Sequence, residues 1–114
     1  MEISLNGYNE SIATFEAEEG TAAGMPVKLT GNGMVGPCAE GDDFCGVARS
    51  VRGGYAAVQL AGYVRLPLAG DAPQAGFRTL CAAAGGGVKT AASGGRSLLV
   101  TDADETAGTL GMIL

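Results

Sequence analysis

The residues of this chain that could do chemistry are few, and their spacing argues against each reaction they would serve. Cys38, Cys45 and Cys81 could bind zinc as thiolates, but a zinc site needs four ligands, usually including a Cys-x-x-Cys pair. The sequence holds no such pair and no histidine to complete a set. An odd number of cysteines fits free thiols in a reducing cytosol, and these three read as small buried apolar side chains. Asp42-Asp43 and Asp102-x-Asp104-Glu105 are the acidic clusters outside the N-terminal region. Neither continues as a calcium loop, because Thr106 and Ala107 stand where further ligands belong, so both read as solvated turns.

Phosphate chemistry fares no better. Gly31-Asn32-Gly33-Met34-Val35-Gly36 spells the glycine pattern that cradles a pyrophosphate at a helix start, but Pro37 follows at once and no helical periodicity comes after it. Gly87-Val88-Lys89-Thr90 lacks the glycine that a phosphate loop carries immediately before its lysine. Ser93, in Ala91-Ala92-Ser93-Gly94-Gly95, is not in a nucleophile elbow, and without histidine no imidazole can serve it as base. On its chemistry the chain reads as a scaffold rather than an enzyme, with no catalytic residue, no cofactor site and no metal site.

The elements that position these residues are set by composition. Of 114 residues, 20 are Gly and 19 are Ala, while Val, Ile, Leu and Phe together number only 24. That is enough for one modest core, and association with partners would add to it. Residues 1–20 carry five glutamates and no base, whereas residues 21–114 balance seven acids with seven bases. The bases are scattered singly and Trp is absent, which argues against nucleic-acid binding. Gln59 and Arg65 break the longest apolar stretch, so no membrane span is expected, and Met1-Glu2-Ile3-Ser4 lacks the basic start of a secretion signal.

Short apolar runs punctuated by glycine predict an all-β fold, a small Gly/Ala-rich barrel or sandwich of short antiparallel strands. Val27 to Thr30 and Met34-Val35 flank Gly31-Asn32-Gly33 as a hairpin, and Phe44 to Ala48 forms the next strand, before a turn at Gly53-Gly54. Tyr55 to Leu66 alternates with period two and reads as one central strand. Val58, Leu60, Val64 and Leu66 then face the core, and Gln59, Ala61, Tyr63 and Arg65 face outward. Gly24 to Leu29 echoes Gly76 to Leu80 about 51 residues later. Each segment is followed by a Gly-rich turn and a short strand, which suggests two related β units. The final run, Thr109 to Leu114, should pair into the sheet. Residues 1–20, with Tyr8, Ile12 and Phe15 irregularly spaced, read as an extended acidic arm, either a frayed tail or a strap that orders against a neighbouring subunit or the capsid, and residues 21–114 as a single β domain.

Gly24 to Thr30, Gly41 to Ala48, Ala57 to Pro67, Ala75 to Leu80 and Gly86 to Lys89 together resemble the small head-decoration, or capsid cement, proteins of bacteriophages, over roughly residues 20 to 114. The resemblance implies a structural virion protein without catalysis or cofactor. It implies a homotrimer bound to the major capsid protein on the outside of the head, bridging neighbouring subunits, and made in the cytoplasm of a bacterial host. Candidate contacts with a subunit or the capsid are Tyr8, Ile12, Phe15, Tyr63 and Arg65. Two other readings stay open: a ligand-binding or enzyme-associated small β-barrel domain, and another phage head or tail assembly component.

Overall fold

Apolar runs this short can be buried only by pairing across tight turns. In the computed structural model, which describes residues 11–114, they form ten strands and no helix. A closed barrel is built from β1 (Ser11–Ala17), β2 (Pro26–Gly31), β3 (Met34–Pro37), β4 (Gly46–Arg52) and β5 (Tyr55–Ala61). A second, five-stranded sheet contains β6 (Tyr63–Pro67), β7 (Gly76–Ala83), β8 (Gly87–Thr90), β9 (Arg96–Asp104) and β10 (Thr109–Ile113). Glycine makes the turns possible: Gly53 and Gly54, at φ +60° and +82°, supply the paired left-handed conformation that a tight β4–β5 hairpin demands.

The two sheets repeat one topology. The barrel runs β3-β2-β4-β5-β1 and the second sheet runs β8-β7-β9-β10-β6, so each strand has its counterpart five elements later. The details repeat as well. In β4 the ladder to β5 skips Arg49, passing from Ala48↔Val58 to Ser50↔Ala57. In β9 the ladder to β10 skips Thr101, passing from Val100↔Met112 to Asp102↔Gly111. A bulge thus falls at the same place in both units, and bulges of this kind sharpen strand twist where a sheet must curl. The seam repeats too: β1 meets β3 in parallel at Ala17↔Val35, and the residue after β6 meets β8 in parallel at Leu68↔Val88. The sequence echo therefore marks two copies of one five-stranded unit.

Each unit has its own core. Val27, Val35, Ala48, Ala56 and Val58 fill the barrel, and Leu66, Leu80, Val88, Leu110 and Met112 fill the second unit. Phe44 and Val47 come from the first unit yet pack with the second core. The loop before β4 seals this junction. Gly41 N donates to Ala82 O and Ala82 N donates to Asp42 O, both at 2.8 Å, so the loop pairs with β7 where β9 has left it. Arg96 donates to Cys45 O at 3.1 Å and lies 6.0 Å from the centre of the Phe44 ring.

Several expectations change. Tyr55 to Leu66 is not one strand. Gly62, at φ +96°, bends the chain, so the run is split into β5 of the barrel and β6 of the second sheet. Gln59, expected on the solvent side, is fully buried, while Leu60 is only half-buried. Its amide explains this: Gln59 Nε2 donates to Ala61 O and Tyr63 O, each at 3.0 Å, on either side of the bend, and its Oε1 accepts from Arg49. The arm also changes, since residues 11–17 are β1, antiparallel to β5 and parallel to β3 within their own chain. Ala13, Phe15 and Ala17 turn inward and Ile12, Thr14 and Glu16 outward. Two of the three inward residues are alanines, so the alternation escapes any search for large apolar side chains. The pairing of β1 with β3 also makes the barrel mixed rather than purely antiparallel.

Candidate functional site

Tyr63 and Arg65, two positions apart on β6, share the outer face of the second sheet, as the alternation of a strand requires. Strand register places partners beside each. Tyr63 lies opposite Ile113, Ile113 opposite Leu99, and Leu99 opposite Phe77, a row crossing four strands. Tyr63, Ile113 and Leu99 are half-buried, and Phe77 is 70% exposed, the most open large apolar side chain among the described residues. One register step away, Gly111 stands between Arg65 and Asp102.

This second row is polar and mutually satisfied. Arg65 donates through Nη2 to Asp102 Oδ2 at 2.6 Å, through Nη1 to Tyr63 Oη at 2.9 Å and through Nε to Thr109 Oγ1 at 3.0 Å. Thr101, the bulged residue, donates to Asp102 Oδ1 at 2.9 Å. The hydrogen bond from Arg65 holds the Asp102 carboxyl below the usual carboxylate range, and the same bond raises the guanidinium further above neutrality. Glycine at 111 is what lets the pair lie flat. A Cβ there would sit 2.6 Å from Asp102 Oδ1, 2.7 Å from Tyr63 Oη and 2.8 Å from Arg65 Nη1. With both partners substantially exposed, the pair fixes side-chain orientation more than it adds stability.

The other candidate contacts are scattered. Ile12 is half exposed on the outer side of β1 in the other unit, whereas Phe15 turns inward and packs on the barrel core. Tyr8 lies outside the described residues. Phe77, Leu99, Ile113 and Asp102 were not legible as neighbours of Tyr63. Nothing in Leu98-Leu99-Val100 tells which leucine turns outward, and only strand register joins the four strands.

The remaining reactive groups do not converge. Cys38, Cys45 and Cys81 are free; burial pushes the Cys38 thiol up to about 11 and raises that of Cys45. Among the described residues no three His, Cys, Asp or Glu side chains group so as to hold a metal ion, and no helix is long and apolar enough to cross a membrane. Asp42 is occupied structurally, accepting from Lys28 Nζ at 2.6 Å and from Ala39 N at 2.8 Å. An open depression beside Leu68, Gly70 and Ala72 carries Asp71 and Glu105 as its charged groups, with no nucleophile or base of another kind. No known protein family matches the sequence, and no curated protein is similar to it.

Proposed function

We propose that the chain is a non-catalytic structural protein of a phage virion, a decoration protein that binds the outside of the capsid and bridges neighbouring copies of the major capsid protein. On this reading it is made in the bacterial cytoplasm, assembles as a homotrimer, and needs neither cofactor nor nucleic acid. One observation carries the proposal. The segments that resemble capsid cement proteins are those that build the frame: Gly41 to Ala48 forms the junction loop and the start of β4, Ala57 to Pro67 spans the Gly62 bend, and Ala75 to Leu80 lies in β7.

The chemistry agrees with this reading. Polar side chains pair with one another across strands, as Arg65 does with Asp102, and the outer face of the second sheet sets an apolar row beside a polar one. Such a face suits attachment to another protein surface. A ligand-binding barrel would instead gather several polar groups in a pocket. The test is co-sedimentation of the purified protein with expanded, undecorated heads of the phage that encodes it, with light scattering of the free protein. Saturable binding and a mass of three chains are expected. No binding at large excess would remove the capsid reading.

A further inference from the structure

The contact between the two units inside one chain points to a contact between chains. The row Tyr63, Ile113, Leu99 and Phe77 has a counterpart in the first unit, fixed by register. Aligning the bulges sets Val47 against Leu99 and Gln59 against Ile113, because Val47 pairs with Gln59 as Leu99 pairs with Ile113. Ile12, opposite Gln59, then matches Tyr63, opposite Ile113. Pro26, opposite Val47, matches Phe77, opposite Leu99.

In the first unit this row is where the second unit sits. Val47 is buried in the second unit's core, Gln59 bonds to Tyr63 O, Pro26 is fully buried, and Met25 beside it lies where a Cβ on Gly86, in the β7–β8 turn, would be 3.7 Å away. In the second unit the same row faces solvent. A terminal repeat that ends an array normally turns a polar face outward. Here the sequence does the reverse, with Gln59 matched by Ile113 and the buried Pro26 by the exposed Phe77.

The receiving side also has a vacant counterpart. Val35 and Val88 match through their parallel seams, so Leu29, opposite Val35, matches Ala82, opposite Val88. Ala82 is buried and exchanges two backbone hydrogen bonds with the first unit's loop. Leu29 is 57% exposed, on a strand that pairs with β4 only at Pro26 and Val27.

We propose that the outward-facing row Tyr63, Ile113, Leu99 and Phe77 docks a second copy of this chain head to tail, seating the Leu29 end of the partner's first unit as the first unit's own row seats the second. The contact is heterologous, so it closes into a ring or runs on as a filament. Three copies would set six equivalent units in one ring. It does not depend on attachment to a capsid, since it rests on the repeat alone.

The test uses the full chain and two variants, Phe77→Asp and Leu29→Asp, with sedimentation velocity over a wide concentration range and urea unfolding as a check on folding. Both sites are exposed, so at a concentration dilute enough for the wild type to be monomeric both variants should unfold at its midpoint. The wild type should form species larger than one chain. Each variant alone should sediment as a monomer, and an equimolar mixture should restore a dimer, because the intact row of Leu29→Asp meets the intact Leu29 end of Phe77→Asp. A wild type that is monomeric throughout would overturn the proposal. So would self-association of Leu29→Asp at wild-type strength, which would show row-on-row packing, or of Phe77→Asp, which would place the contact elsewhere.

Discussion

Replacing Gln59 by Ala removes the clamp on the bend between the units, and its cost can be worked from the contacts. The side chain is fully buried and makes three hydrogen bonds, two to the carbonyls of Ala61 and Tyr63 and one from Arg49. Each such bond contributes about 0.5–1.5 kcal/mol net, and a buried group left without its partner costs about 1–3 kcal/mol. Ala61 and Tyr63 are only half-buried, so water reaches part of what is exposed, and the sum is about 2–4 kcal/mol. Leu60→Ala, at a half-buried site on the barrel core, should cost about 1–2 kcal/mol. Equilibrium urea unfolding of both variants measures the difference, and Gln59→Leu, which keeps the volume but loses the bonds, should fall near Gln59→Ala. A loss below about 0.5 kcal/mol for Gln59→Ala, the value for an ordinary surface site, would refute the clamp.

Two glycines should respond unequally to a methyl group. At Gly46 a Cβ would lie 2.3 Å from the backbone oxygen of Gln59, which cannot retreat, so Gly46→Ala should cost about 3 kcal/mol, whereas Gly111→Ala displaces only side-chain ends and should cost about 1 kcal/mol or less; thermal unfolding would show a reversed order if the close approach at Gly46 were absent. With its thiol raised from 9.0 to about 11, Cys38 should be alkylated at pH 8 at about one hundredth of the rate in the unfolded chain, and equal rates before and after urea would contradict the burial. Asp42 is held below its ordinary value first by the Lys28 hydrogen bond and then by Ala39 N, so its contribution is complete above the unfolded value and is lost as pH falls below about 4. The urea midpoint of the wild type should therefore drop more steeply between pH 5 and pH 3 than that of Asp42→Asn; parallel curves would show that the carboxylate does not anchor the loop.

The all-β class, the turns at Gly33 and at Gly53-Gly54 and the pairing of the final run were legible because glycine and period-two alternation act locally. The doubled unit was visible only faintly, since both side chains and spacing diverge: Gln59 matches Ile113, and β7 carries two more residues than β2 between the matched pairs Pro26 and Phe77 and Leu29 and Ala82. Gln59 itself was misplaced because alternation assumes one exposed face, and the outer side of β5 at that point is covered by the other unit. The inward set of β1 was hidden by its alanines. The outer row was invisible for another reason: its four members lie on four strands, and no local pattern announces a long-range register.

The single residue joining β5 to β6 settles which strand closes the barrel. An antiparallel neighbour of β5 supplied directly by the following segment would need at least a two-residue hairpin loop. Gly62 alone is too short, so β6 cannot fold back into the slot beside β5 even though it is the counterpart of the strand that fills it. That place is left to β1, which pairs with β5 from Ser11↔Ala61 to Glu16↔Tyr55. During synthesis the first described strand must wait until its antiparallel partner, about 40 to 50 residues later, has been made, while the nearest competitor is excluded by its own tether.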